Sequence, residues 1–146
     1  MMFTIIFPVL NERLRLESGV TRTVEYLQSI AFEDYEIIIV DNGSEDETPQ
    51  IAENLCKKYD KVKYERINVR GVGAAFRRGV EVSHGDVVGY MDIDLSTNIR
   101  HLGEAIHLFG TQPEIQYING SRFARESDTR GRKWYRRITS QGLLIL

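Results

Sequence analysis

Glu36-Ile-Ile-Ile-Val40-Asp41-Asn42-Gly43-Ser44-Glu45-Asp46-Glu47-Thr48 passes from an unbroken apolar run into a short acidic loop. A run with no polar alternation cannot have one wet face, so it reads as a strand covered on both sides, the usual state of a parallel sheet. Ile51, Leu55 and Tyr59 follow at helical spacing, with Pro49 near the first turn and Ser44 or Asp46 available as a cap. Val62 to Ile67 then supplies a second strand, which completes a β-α-β unit. Working outward, Phe3 to Val9, Asp86 to Met91 and Ile115 to Asn119 are further strand candidates. Leu16, Val20, Val24 and Leu27 form one helical stripe, Val72, Phe76 and Val80 another, and Leu102, Ile106 and Phe109 a third. Ser96, Thr97 or Asn98 can cap the last of these helices. The fold class is therefore α/β, with helices on both faces of a mostly parallel sheet.

The chain has 146 residues, 42% hydrophobic and 27% charged, a composition that excludes a disordered polymer and fits one soluble globular domain over 1–146. Cys56 is the single cysteine, so no internal disulfide can form, and a reducing, cytoplasmic setting is expected. The apolar start lacks a basic n-region and soon meets Asn11, Glu12 and Arg13, unlike a signal peptide. The last residues, Leu143, Leu144, Ile145 and Leu146, read as an interrupted helix that also contains Trp134 and Ile138. The net charge of −2 conceals a basic stretch in which Arg122, Arg125, Arg130, Arg132, Lys133, Arg136 and Arg137 face only Glu126 and Asp128. Such a stretch could meet a phosphate, an anionic membrane or a nucleic acid, or simply coat a helix.

The chemistry concentrates in Asp86-Val-Val-Gly-Tyr-Met-Asp92-Ile-Asp94-Leu-Ser96. If the strand runs through to its end, Asp92 and Asp94 share one face, at the edge where open α/β sheets bind ligands. Two carboxylates placed there suit Mg²⁺ or Mn²⁺ held against a diphosphate. A D-x-D triplet alone is weak evidence, because acids are common at strand ends and helix caps. Its weight comes from the polar loops that follow Val9 and Val40 at the same sheet edge.

Pro8-x-x-Asn11-Glu12, Val40-Asp41-Asn42-Gly43-Ser44-x-Asp46-x-Thr48, Gly71-x-Gly73-x-Ala75, Gly85-Asp86 and Asp92-x-Asp94-Leu95-Ser96 occur in order. Together they resemble the signature of family 2 glycosyltransferases with the GT-A fold, a Rossmann-like three-layer α/β/α architecture. Asp92 to Thr97, Gly120-Ser121-Arg122 and the Arg136/Ser140 segment are most similar to the dolichyl- or polyprenyl-phosphate sugar transferases. The resemblance covers nearly the whole chain and implies the N-terminal, nucleotide-sugar-binding part of a longer catalytic domain.

By position, the resemblance implies that Pro8, Asn11, Glu12, Gly71 and Gly73 line the nucleotide-sugar pocket and that Asp41 accepts hydrogen bonds from the base. Asp92 would reach the sugar or ribose, Asp94 would hold Mg²⁺ or Mn²⁺ with it, and Arg122, Arg136 and Ser140 would clamp the acceptor phosphate. The implied reaction is inverting transfer of a hexose from a UDP-glucose- or GDP-mannose-type donor to a polyprenyl or dolichyl phosphate. The implied setting is the cytoplasmic face of a membrane, in cell-envelope polysaccharide or glycoprotein biosynthesis, with peripheral membrane contact and no nucleic-acid partner. The sequence departs from the family pattern at Asn42, where a second acid is usual, and at Val72, where a lysine is frequent.

Other readings compete. Gly71-Val-Gly73 lacks the third glycine of a dinucleotide fingerprint and does not follow the first strand, which argues against NAD or FAD. A receiver-like signalling domain would not need the glycine-rich crossover or the trailing arginines. A non-catalytic nucleotide-sugar-binding module, or a family 2 transferase acting on a saccharide hydroxyl, stands as the alternative.

Overall fold

The computed structural model describes residues 1–120. The chain divides into a unit spanning Met1–Glu114 and a second spanning Ile115–Leu146, of which only residues 115–120 are described. The first unit runs β1 (Phe3–Val9), α1 (Leu16–Ser29), β2 (Tyr35–Asp41), α2 (Thr48–Lys58), β3 (Val62–Arg66), α3 (Val72–Glu81), β4 (Val87–Tyr90) and α4 (Arg100–Thr111). The strands form one parallel sheet in the order β3-β2-β1-β4. The chain therefore builds outward from β1 to β3 and then crosses back to the other side of β1. That reversal leaves a crevice beyond the carboxyl ends of β1 and β4, the switch point where such sheets bind ligands.

Alternation along the two central strands sorts the core into two layers. Ile5, Phe7, Val9, Ile37 and Ile39 face α1 and α2, with Leu102 and Ile106 of α4 packed against the same cluster. Ile6, Ile38 and Val40 face the other way, onto Ala75 and Phe76 of α3. The three-layer α/β/α reading holds. All seven residues of β2 are buried, as an unbroken apolar run requires.

The α1 stripe lies where expected, with Leu16, Val20, Val24 and Leu27 all buried. The α3 stripe holds only at Phe76, which packs against the core; Val72 and Val80 are exposed, and the helix buries Ala75 and Gly79 instead. The cause is close approach, since a Cβ on Gly79 would lie 2.6 Å from Ile6 Cδ1. Asp46 and Asn98 each accept an N–H at the start of a helix, from Thr48 (2.9 Å) and Arg100 (3.1 Å), whereas Ser44 turns to another task. Ile115 to Asn119 is not a strand, because strand structure needs a paired neighbour and not only apolar residues. β4 ends at Tyr90, short of the Met91 expected from sequence.

Candidate functional site

The loops after β1, β2 and β3 are joined by side chains the sequence reading had treated separately. Asn11 sits at φ 54°, a left-handed conformation that asparagine tolerates. Its N–H donates to Ser44 Oγ (2.8 Å), while its own Oδ1 accepts from the Glu45 N–H (2.9 Å). One residue on, the Glu12 N–H donates to Thr48 Oγ1 at 2.8 Å. The Glu12 carboxylate receives a two-pronged contact from Arg15, at 2.7 and 2.8 Å. The β1 and β2 loops are thus stitched into one surface. Pro8, half-buried in β1, pairs in register with Val40.

Asp41 lies at the root of this surface and is fully buried. Its Oδ1 accepts the Ser44 N–H and its Oδ2 the Tyr64 hydroxyl, both at 2.8 Å, with Arg66 Nη1 at 3.7 Å. Each carboxylate oxygen retains a second lone pair. Burial pushes the Tyr64 hydroxyl up to about 12, helped by its hydrogen bond to the Asp41 carboxylate, so it remains a donor through the neutral range. Arg66 also donates to the Ser44 carbonyl at 3.0 Å.

Asn42 connects this assembly to the loop before α3. With its amide nitrogen facing that loop, it donates to the carbonyls of Val69 (3.2 Å) and Gly71 (3.0 Å). An aspartate here would oppose two carbonyl oxygens, which gives the departure from the family pattern a physical reason. Gly71 sits at φ 131°, a conformation side chains resist. Among the described residues, apart from chain neighbours and the helix's own backbone, neither Gly71 nor Gly73 has an atom within 4 Å of where a Cβ would stand, so that side of the backbone is open for close approach.

The acidic pair occupies a turn and not a strand. The Met91 N–H still bonds the Ile6 carbonyl at 3.0 Å, after which the chain bends, and the Leu95 N–H donates to the Asp92 carbonyl at 3.1 Å. Leu95 takes φ 49°. Ile93 is buried in the main core, and Asp92 and Asp94 on either side of it are exposed. Asp94 Oδ1 accepts the Ser96 N–H at 2.9 Å, leaving Oδ2 without a hydrogen-bond partner among the described residues. Tyr90 pairs with Ile6, so the turn leaves the sheet at the same edge as the loops after Val9 and Asp41. Where the turn meets α1 the surface is indented by a shallow cleft, lined by Arg15, Ser18, Gly19 and Arg22 of the α1 side and by Asp94 and Leu95.

Oxygen ligands alone suit a hard divalent cation. Among the described residues, the exposed Asp92 and Asp94 carboxylates are the oxygen donors this turn presents for such an ion. That donor set fits Mg²⁺ or Mn²⁺, which commonly take one or two carboxylates and fill their remaining positions with phosphate and water. Arg122, Arg136 and Ser140 lie outside the described residues. Sequence reasoning missed Tyr64, Arg66, Ser44 and Thr48 as organisers of the site. Tyr64 and Arg66 sit two apart on β3 opposite Ile39 and Asp41, a relation that only the strand register reveals.

Comparison with known proteins agrees with this architecture. Residues 4–145 match the family model described as "Glycosyl transferase family 2". The dolichol-phosphate mannosyltransferase of Pyrococcus furiosus is 30% identical over 146 residues, covering 100% of this chain and 40% of that protein. The dolichyl-phosphate beta-glucosyltransferase of Mus musculus is 32% identical over 143 residues, covering 90% of this chain and 44% of that protein. The chain thus spans less than half the length of either relative. Among solved structures, glucosyl-3-phosphoglycerate synthase from Mycobacterium tuberculosis in complex with UDP superposes with a TM-score of 0.61 at 23% identity, over 82% of this chain and 45% of that one. A mannosyltransferase from Pyrobaculum calidifontis in complex with GDP-Man and Mn²⁺ gives 0.52 at 20% identity, over 63% and 27%. The sheet order, the loops gathered at one edge and the family match lead to one conclusion: the chain belongs to the family 2 glycosyltransferases.

Proposed function

We propose that the protein takes part in inverting transfer of a hexose from a nucleotide-diphosphate sugar, of the UDP-glucose or GDP-mannose type, to a polyprenyl or dolichyl phosphate. The observation that carries the donor half is the exposed Asp92/Asp94 pair, held around buried Ile93 at the sheet's switch point. The relatives named for dolichyl-phosphate sugar transfer support the acceptor half. The fold neighbours solved with UDP, or with GDP-Man and Mn²⁺, support the donor class and a divalent ion.

Asp41, fully buried beneath the loops in this fold, would offer its remaining lone pairs to the base once those loops part, in a pocket bordered by Asn11, Glu12 and the Gly71 to Gly73 backbone. Asp92 and Asp94 would hold Mg²⁺ or Mn²⁺. Such an ion, when bound, supplies charge neutralisation for the diphosphate leaving group. An acceptor phosphate oxygen forms the new bond to the anomeric carbon as the bond to the donor's β-phosphate oxygen breaks, and the nucleoside diphosphate leaves with the electron pair.

Phosphate chemistry also removes the need for a general base. Phosphate monoesters have a second pKa of about 6, so the nucleophile is already largely ionised at neutral pH and needs orientation more than deprotonation. Arg122, Arg136 and Ser140 would provide that orientation, since arginine forks match phosphate geometry. Peripheral contact with the cytoplasmic face would be made by the part of the protein beyond this chain; no helix among the described residues is long and apolar enough to cross a membrane.

The test is sugar transfer to polyprenyl phosphate, by the full-length protein and by its Arg136→Ala variant. The variant is expected to lose transfer while retaining nucleotide-sugar affinity. Normal transfer by the variant, or a preference for saccharide hydroxyls, overturns the acceptor assignment. Binding without any transfer by the native protein favours a nucleotide-sugar-binding module.

A further inference from the structure

Gly19 lies within α1, where a glycine costs stability relative to alanine and so calls for a reason. Its surroundings supply one. A Cβ on Gly19 would overlap the carbonyl oxygen of Ile93 and stand 2.8 Å from its Cδ1 and 3.1 Å from its Cγ1. The first obstacle is backbone, which no rotamer change can move aside. The helix cannot readily retreat either. The Gly19 N–H donates to the Arg15 carbonyl at 2.8 Å, and its own carbonyl accepts the buried Thr23 hydroxyl at 2.9 Å. Leu16 and Val20 on either side are fully buried.

We infer that Gly19 is a positioning residue for the acidic turn: its missing side chain lets the Ile93 backbone lie directly on α1, which fixes how Asp92 and Asp94 are presented. Ile93 is the buried residue between two exposed carboxylates, so whatever displaces it displaces both. The turn has little slack to absorb such a shift. Leu95 already occupies a left-handed conformation, the Leu95 N–H is tied to Asp92 and the Ser96 N–H to Asp94. Any side chain at position 19 would therefore push the carboxylates out of place through the Ile93 backbone. The consequence for binding rests on the proposed function; the mechanical coupling does not.

A second glycine provides the control. Gly79 on α3 is also closely packed, with three Ile6 side-chain atoms between 2.6 and 2.8 Å from its absent Cβ, but it meets side chain and not backbone and lies against the opposite face of the sheet. The experiment compares Gly19→Ala with Gly79→Ala by two measurements on the 146-residue chain: the amide chemical shifts of Leu95 and Ser96, and calorimetric affinity for UDP and GDP with Mn²⁺ or with EDTA. Gly19→Ala is expected to move both amides. It should lower affinity in Mn²⁺ by about tenfold while changing affinity in EDTA by less than about twofold. Gly79→Ala should lose stability but leave both amides and the Mn²⁺ effect unchanged. Ile93→Ala, which withdraws the anchor without crowding α1, should reproduce the Gly19→Ala pattern even if that variant folds poorly. Unmoved Leu95 and Ser96 amides in folded Gly19→Ala, or equal affinity losses with and without Mn²⁺, would overturn the inference. If the native chain shows no Mn²⁺ effect, the functional reading fails, and the amide shifts still decide whether Gly19 positions the turn.

Discussion

Strand β2 carries a buried carboxylate at each end, and the two are put to different use. Glu36, at the amino end, accepts from the Thr4 hydroxyl and the Lys63 ammonium at 2.7 Å each, and from the His84 N–H. Thr4 in turn accepts the Gly85 N–H at 3.0 Å, so one acid ties together β1, β2, β3 and the segment leading into β4. Asp41, at the carboxyl end, is just as buried, but its partners are Ser44 and Tyr64, residues of the loop and strand that frame the ligand edge. Burial and hydrogen bonding are alike at the two ends. Glu36 lies far from the switch point and holds the sheet, whereas Asp41 lies beside it and, on the proposed function, would shape the nucleotide site.

The largest effect that can test this division is loss of Glu36. Glu36→Ala leaves the Thr4 hydroxyl and the His84 N–H without their acceptor, and urea unfolding should show a loss of about 3 kcal/mol. Nucleotide affinity of the folded fraction should stay within about twofold. A matching loss of affinity would erase the distinction between the ends.

Acid should act through the same residue. Burial alone would raise the Glu36 pKa, but hydrogen bonds from Lys63, the His84 N–H and Thr4 outweigh it and bring the value down to about 2. A depressed pKa means that the stabilisation is fully present above the unfolded value of about 4.5 and is lost as pH falls toward about 2. The shift corresponds to about 3 kcal/mol, and Glu36→Gln should remove most of that acid sensitivity from a series of unfolding curves.

Substitutions at the other end should reverse the pattern. Asp41→Asn should cost only about 1–2 kcal/mol of stability, because the amide oxygen can still accept one of the two bonds, yet lower nucleotide affinity about tenfold by calorimetry. The smallest effect is expected from Tyr64→Phe, which removes one hydrogen bond to Asp41 and should cost about 1 kcal/mol. Tyr64 also sets an alkaline limit. Its pKa is raised to about 12, so its contribution is complete below the unfolded value of about 10 and fades between about 10 and 12, an effect absent from Tyr64→Phe.

The same contrast explains what was legible in the sequence. β1, β2 and the α1 stripe were readable because large apolar residues mark them directly. The α3 face was misplaced onto Val72 and Val80 because hydrophobic pattern favours large side chains, whereas this contact is made by Ala75 and Gly79 at close range. Gly19 escaped notice for the same reason. The acidic pair was found, but its strand-face geometry was not, since the bend after Met91 depends on Ile93 finding the core beside α1. Glu36 looked like the edge of an apolar run, and nothing local to it announces Thr4, Lys63 or His84. Asn42 was visible as a departure from the family pattern, but its reason required the Val69 and Gly71 carbonyls to be in place.

The central claim is that the carboxyl edge of the sheet binds a nucleotide diphosphate through Asp94 and a divalent ion. Calorimetric titration of UDP and GDP into the native chain and into Asp94→Ala, each with Mn²⁺ and with EDTA, tests it most directly. The native chain should bind one of the two nucleotides in Mn²⁺ and lose that binding in EDTA, and Asp94→Ala should fail to bind under either condition. Undiminished, EDTA-insensitive binding by Asp94→Ala, or no binding of either nucleotide by the native chain, would contradict it.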